Sequence, residues 1–203
     1  MRYQSIKDIT TLEALYGTPG AAATRKVARR MTPTYRAWIM ASRLCVLTTV
    51  GPDGTDGSPR GDDGPVVLEL DAGTLAMPDW WGNNRMDSLR NIVSDGRVSL
   101  MFIVPGSNNV VRVNGTAVVS ADDALRQKFA KGDRLPATVI VISINEIYSQ
   151  CARALLRAKT WNSGDQSVGL PTIGDMLAEM TDGEEGGKEY DQAWGARAAK
   201  TLW

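Results

Sequence analysis

Hydrophobic and polar residues alternate through the central part of the chain, and this pattern indicates β-strands because successive side chains of a strand point to opposite faces. The first such run is 44–50, followed by a turn at 51–54 and a second strand that reaches Arg60. The remaining predicted strands are 66–70, 74–77, 97–104, 110–120 and 138–147. The pattern therefore predicts about seven strands in antiparallel meander order.

Helical patterns flank these strands at both ends of the chain. Three helices are predicted before the first strand, at 9–16, 21–30 and 33–42, the last opened by Thr32 as N-cap and Pro33 at the first helical position. The later predicted helices are one ending near Ser94, then 121–131, 148–159, 173–180 and 189–200.

Hairpin-linked strands in this number favour a closed or split barrel over a parallel sheet. The expected fold is mainly β with flanking helices: an antiparallel split β-barrel with a C-terminal helical extension. We expect one structural domain, made of N-terminal helices packed on the barrel (1–42), the barrel itself (43–160) and the extension (161–203).

The charge balance narrows the classes of function. The 203 residues contain 23 Lys and Arg against 23 Asp and Glu, so the formal net charge is zero, which argues against a nucleic-acid-binding protein. The sequence has no apolar run long enough to span a bilayer and no signal peptide. We therefore expect a cytoplasmic protein that binds neither nucleic acid nor membrane.

The chain contains no histidine and only two cysteines, Cys45 and Cys151. This composition excludes catalysis by Ser-His-Asp or Cys-His groups and leaves no usual zinc site, so no metal is expected. Cys45 lies in an apolar strand pattern, where a buried thiol is the expected state. The chemistry must come from carboxylates, Arg, Ser, Tyr or a bound cofactor.

The region 58–117 contains the residues that suggest a ligand. Arg60 at a strand end, with Asn83, Asn84 and Arg85 at a predicted helix start, can converge on one anion, and phosphate is the natural candidate. Six basic residues and no acidic ones lie between Thr24 and Arg43. This basic segment is either a solvated face or the border of an anionic ligand or a partner subunit.

Several motifs together resemble those of one protein family. They are Ser-Pro-Arg-Gly-Asp at 58–62, Met-Pro-Asp at 77–79, Gly-Asn-Asn-Arg at 82–85, Asn-Ile at 91–92, Val-Arg-Val-Asn-Gly at 111–115 and Cys-Ala-Arg-Ala-Leu-Leu-Arg at 151–157. With this order and spacing, roughly residues 35 to 165 resemble the pyridoxamine 5'-phosphate oxidase-like, FMN-binding split-barrel flavoproteins, in particular a bacterial branch with the first motif.

The resemblance implies a homodimer with FMN bound between the subunits. It implies that Arg60 contacts the FMN phosphate, that Asn84 and Arg85 make a second phosphate contact, and that the second subunit contributes residues. The cofactor-binding residues expected on this basis are Ser58, Arg60, Ala76, Met77, Pro78, Asn83, Asn84, Arg85, Asn91, Val110, Arg112, Arg157 and Trp161.

The implied activity is that of a flavin-dependent oxidoreductase acting on a small organic substrate, with NADH or NADPH as a possible partner. Two alternatives stay open: a flavin-binding or flavin-storing protein without turnover, and a reductase that uses a deazaflavin coenzyme. Trp80 and Trp81 either wall the flavin ring or pack in the core or an interface. Tyr148 and Asp79 are candidate proton donors by position only, so the catalytic residues stay unknown.

Overall fold

A computed structural model describes residues 3–203 and contains a single antiparallel sheet of seven strands, in the order β2-β1-β5-β6-β7-β4-β3. The strands are β1 (Leu44–Gly51), β2 (Gly54–Gly61), β3 (Leu68–Asp71), β4 (Thr74–Asp79), β5 (Arg97–Ile103), β6 (Val110–Ser120) and β7 (Thr138–Gln150). Each strand forms where period-two alternation was predicted, so the prediction of a mainly β fold with flanking helices is confirmed.

The sheet curls around one hydrophobic core to form the predicted split barrel. Alternate residues of the central strands point inward and are buried, among them Leu47, Leu100, Phe102, Val113, Ile140 and Ile142. The curl brings the edge strand β2 near the end of β4, where Arg60 forms an ion pair with Asp79. This contact lies at the split, the side of the barrel where the strands do not pair.

The last strand is longer than predicted. β7 continues to Gln150, which pairs with Val110 of β6, so Tyr148 lies in the sheet. The prediction of a helix over 148–159 is therefore wrong in its first part, and the helix α6 covers only Arg153–Ala158. The strand continues because the register with β6 still supplies backbone partners as far as Gln150.

The N-terminal helices differ in how they pack. The helices are α1 (Ile9–Tyr16), α2 (Ala21–Arg25) and α3 (Pro33–Met40). The helix α3 buries Ile39 and is capped by Thr32 as predicted, whereas α1 and α2 bury no residue. The division of the chain into 1–42, 43–160 and 161–203 stays a prediction.

The second helix is shorter than the predicted 21–30. Its continuation is prevented because Ala28 exchanges two backbone hydrogen bonds with Ile147 of β7, at 2.9 and 2.7 Å. Extended backbone at Ala28 is incompatible with a helix through this residue.

The remaining helices are α4 (Asp87–Ser94), α5 (Asp123–Gln127), α7 (Ile173–Met180) and α8 (Gly187–Thr201). Thr172 caps α7 in a capping box with Asp175, and Asp191 of α8 accepts hydrogen bonds from Thr172 Oγ1 at 2.5 Å and from the Gly174 N–H at 2.9 Å. α7 and α8 therefore form a helical hairpin that is held together by side-chain hydrogen bonds. Among residues 3–203, no helix is both long and apolar enough to cross a membrane.

The two cysteines are expected to differ in reactivity. Cys45 is fully buried, and burial raises the pKa of its thiol to about 12, whereas Cys151 is exposed. A raised pKa leaves almost no thiolate at neutral pH, and the thiolate is the reactive form. Ellman's reagent should therefore titrate one thiol in the native protein and the second only after denaturation. Rapid reaction of two thiols in the native protein would contradict this expectation. So would loss of the rapidly reacting thiol in any variant other than Cys151→Ser.

Candidate functional site

A cavity of about 520 Å³ opens at the split of the barrel. It lies between the inner face of β2, the end of β4 and the segment leading into α4. The residues that line it include Asp56, Ser58, Arg60, Asp79, Trp80, Trp81, Asn83, Asn84 and Arg85. Five of the predicted cofactor-binding residues therefore line one cavity: Ser58, Arg60, Asn83, Asn84 and Arg85.

The floor of the cavity is a row of polar side chains on β2. Asp56, Ser58 and Arg60 are two residues apart and pair with Thr49, Leu47 and Cys45 of β1, so they share the inner face of the sheet. Most inward-facing residues on the other strands are apolar. The inner face becomes polar on β2, the strand that borders the split.

Two hydrogen bonds fix α4 against this floor. Ser88 Oγ donates to Asp56 at 2.5 Å, and Asn91 Nδ2 donates to Thr49 Oγ1 at 3.1 Å. Asn91 was predicted to bind the cofactor, but it does not line the cavity and its amide is engaged with β1. Asn91 thus positions the helix beside the site.

Arg60 is the best-placed cation of the cavity. Its Nη1 donates to the Asp79 carboxylate, while its Nε is buried and has no hydrogen-bond partner among residues 3–203. The side chains of Arg60 and Asp79 are only 20% and 14% exposed. A buried guanidinium donor without an acceptor is costly, and a ligand oxygen would satisfy it.

Asp62 is close to Arg60 in sequence but forms its ion pair with Lys131. Asp62 accepts a hydrogen bond from Lys131 Nζ at 2.8 Å, and Asp63 accepts from the same ammonium group. The two carboxylates raise the pKa of Lys131. In the described part of the chain, Asp79 is the one carboxylate paired with Arg60.

Asn83, Asn84 and Arg85 lie in a loop and not at the start of a helix. The helix α4 begins at Asp87, and both Asn84 and Met86 adopt left-handed backbone conformations, with φ of 59° and 58°. These two residues prevent the helix from extending backwards. The predicted helix N-terminus at 83–85 is therefore wrong, although the three side chains still border the cavity.

Arg85 is much more solvated than Arg60. Its side chain is 77% exposed, and Nε lies 2.6 Å from the Asp87 carboxylate. Asn83 Oδ1 accepts a hydrogen bond from the Arg85 N–H at 3.1 Å, which shapes the loop. The site thus combines one largely buried cation, Arg60, with one exposed cation, Arg85, at the rim.

The predicted residues of β4 do not reach the cavity. Ala76, Met77 and Pro78 are buried, because β4 lies between β3 and β7 and is covered on both faces. Met77 belongs to the barrel core, and Pro78 pairs with Val139. Asp79 and Trp80, the residues that follow, are the ones that form the cavity wall.

Four further predicted residues lie elsewhere: Val110, Arg112, Arg157 and Trp161 do not line the cavity. Arg112 is on the outer face of β6, 5.5 Å from the centre of the Tyr148 ring, and donates to Ser99 Oγ at 3.3 Å. Trp161 Nε1 donates to the Ser107 carbonyl at 2.8 Å. Within one chain, these four residues therefore lie apart from the five predicted residues that line the cavity.

An aromatic contact at the cavity wall involves the C-terminal part of the chain. The Trp203 ring meets Trp80 edge to face at 5.4 Å, and Lys131 Nζ lies 4.5 Å from the Trp203 ring centre. Arg134 Nη1 donates to the Trp203 carbonyl at 2.9 Å. This contact could not be predicted from the sequence, because it depends on how the chain returns from α8 to the barrel.

The comparison with known proteins identifies the class. The family model for pyridoxamine 5'-phosphate oxidase matches residues 31–151, more than half of the chain. The chain belongs to this family, as its motifs suggested. No curated protein matches the sequence.

Solved structures with similar folds have low sequence identity to this chain. HupZ from Group A Streptococcus is 21% identical, with a TM-score of 0.49 over 59% of this chain and 93% of its own. An FMN-binding protein from Syntrophomonas wolfei is 12% identical, with a TM-score of 0.42 over 57% and 80%. An F420 reductase is 17% identical, with a TM-score of 0.42 over 59% and 98%.

Proposed function

We propose that the protein is a homodimeric, FMN-binding flavoprotein that acts as an oxidoreductase on a small organic substrate. The observation that carries the proposal is the buried Arg60 Nε, which has no hydrogen-bond partner among residues 3–203 and belongs to a side chain that lines a cavity of about 520 Å³. That volume is within the range of sites for cofactors and small molecules. Membership of the pyridoxamine 5'-phosphate oxidase family supports a flavin as the ligand.

The lining residues fit the phosphate end of FMN. Arg60 offers a charge-assisted donor, and Asp79 holds the other side of the guanidinium in place. Ser58, Asn83 and Asn84 add hydroxyl and amide groups, and Arg85 adds a second positive charge at the rim. A dianionic phosphate is the ligand group that best satisfies two arginines and several neutral donors.

The aromatic residues of the cavity suit the planar part of the cofactor. Trp80 and Trp81 both line the cavity, and Trp81 is exposed. Bound flavin would supply two-electron chemistry, while the chain binds it, orients it and limits access of water. Asp79 is committed to Arg60 and Tyr148 lies outside the cavity, so neither is supported as the proton donor.

A second subunit would explain the predicted residues that lie outside the cavity. The outer face of the sheet carries Val46 and Met101 side by side, with Arg112 next in register. Met101 is partly exposed in one chain, and an apolar patch with a flanking arginine is typical of a protein–protein interface. We propose that dimerisation through this face brings Val110 and Arg112 towards the partner's flavin.

The proposal is tested by an absorption spectrum and an anaerobic reduction. We expect flavin bands in the purified protein, FMN in the supernatant after heat release, and bleaching of the bands by NADH or NADPH. Bound FMN that neither cofactor reduces would favour a flavin-storing protein. A colourless protein that takes up F420 and not FMN would favour the deazaflavin alternative, and one that takes up neither would overturn flavin binding.

A further inference from the structure

Two exposed segments at opposite ends of the chain carry opposite charges. We call residues 3–30 the N-terminal arm; it contains α1 and α2. We call residues 172–201 the C-terminal hairpin; it consists of α7 and α8. In one chain, the arm helices bury no residue, so they have no packing partner that would explain their composition.

The arm presents an apolar face followed by unpaired positive charges. Ile9, Leu12 and Leu15 are exposed on α1 at spacings that place them on one side of the helix. The basic residues that follow α1 are exposed and form no ion pair with any carboxylate of residues 3–203: Arg25, Arg29 and Arg30.

The hairpin has the complementary character. Its helix α7 exposes Ile173, Met176 and Met180 along one face. Five exposed carboxylates of the hairpin form no ion pair within the described part of the chain: Glu179, Asp182, Glu184, Glu185 and Glu189.

The hairpin is preformed and can act as a docking surface. An added Cβ at Gly174 would lie well inside contact distance of the Gly187 carbonyl oxygen, so the two helices approach as closely as their backbones allow. The capping box at Thr172 and the Asp191 hydrogen bonds hold this approach. A rigid surface loses little entropy on binding.

We infer that the N-terminal arm of one chain docks on the C-terminal hairpin of a second copy. A second copy is favoured because one chain carries both halves of the contact and its total formal charge is zero. In a two-fold symmetric dimer the arm–hairpin contact forms twice, so every unpaired cluster gains a partner. The inference rests on the homodimer of the proposed function and extends it with a contact outside the flavin cavity.

The inference is tested with two charge-reversed variants. The arm variant carries Arg25→Glu, Arg29→Glu and Arg30→Glu. The hairpin variant carries Glu179→Lys, Glu184→Lys and Glu185→Lys. Each variant alone should self-associate about tenfold more weakly than the wild type, because like charges meet at both contacts of the dimer. A control arm with Lys at all three positions keeps its charge and should dimerise normally.

Mixing the two variants separates contact between chains from contact within a chain. In a heterodimer both arm–hairpin contacts again join opposite charges, so native mass spectrometry of an equimolar mixture should show far more heterodimer than the statistical half. A statistical mixture, or single variants that dimerise like the wild type, would overturn the inference.

The same experiment separates this inference from the proposed function. Flavin content is measured on every variant at a protein concentration that keeps that variant dimeric, and there it should be unchanged, because neither set of substitutions touches the cavity. A dimeric wild type without flavin would contradict the flavin proposal alone. A monomeric wild type would contradict both the homodimer and the arm contact.

Discussion

Replacing Arg60 with alanine is expected to weaken FMN binding on the order of a hundredfold. The guanidinium is largely buried, and within the described residues its Nε has no hydrogen-bond partner, so a phosphate oxygen would be the main acceptor for this Nε. Loss of a charge-assisted hydrogen bond to a buried group costs about 3 kcal/mol, and about 1.4 kcal/mol corresponds to a factor of ten. Titration of apoprotein with FMN, followed by quenching of flavin fluorescence, measures the change.

Two further variants identify the cause of that loss. Arg85→Ala should weaken binding only about threefold, because a side chain that is 77% exposed is well screened by solvent. Asp79→Asn removes a negative charge near the phosphate site but keeps an oxygen that can accept from Arg60 Nη1, so FMN binding should stay equal or become tighter. Near-ultraviolet circular dichroism checks that each variant is folded. Wild-type affinity in Arg60→Ala would refute the phosphate assignment.

The strands could be predicted because their signal is local. In β1 and β5, alternate residues face the core, and the same alternation is visible in the sequence. The length of β7 was not visible, because its last residues are strand only through pairing with β6. Likewise α2 ends where Ala28 pairs with Ile147, a contact between residues far apart in the chain.

The site was predictable in part for the same reason. Arg60 and Ser58 were found from their motif, and their shared face follows from period two. The ion pair of Arg60 with Asp79 was not predicted, since it depends on how the barrel closes. The left-handed Met86 was also unexpected, because residues other than Gly, Asn and Asp seldom adopt that conformation.

Residues predicted to lie at a subunit interface could not be assessed in a single chain. Val110 and Arg112 were predicted as cofactor contacts from a resemblance that already included a dimer, and in one chain they lie away from the cavity. That they bind flavin stays a prediction, and only the assembled protein can test it. The same holds for α1. Its exposed apolar residues indicate that the helix packs against another surface, but they do not indicate which surface that is.

A bulge between β6 and β7 sets which residues of β7 face the core. Asn114 pairs with Glu146 and Gly115 with Ile144, so Asn145 is an extra residue on β7. The extra residue changes the alternation, which allows both Ile144 and Ile147 to be buried. The strands approach closely here, and a Cβ at Gly115 would lie far inside contact distance of the Ser143 carbonyl oxygen.

Replacing Gly115 with alanine is therefore expected to destabilise the fold severely. The methyl group meets backbone, which cannot rotate away as a side chain can, and overpacking of this kind costs about 3 kcal/mol. For a domain of this size the melting temperature should fall by roughly 6 to 12 °C, as measured by differential scanning calorimetry. The matched control is Gly57→Ala, also in a strand, where a Cβ has open space and the melting temperature should stay constant or rise slightly. Equal melting temperatures for the two variants would mean that the bulge tolerates a side chain and does not fix the register of β7.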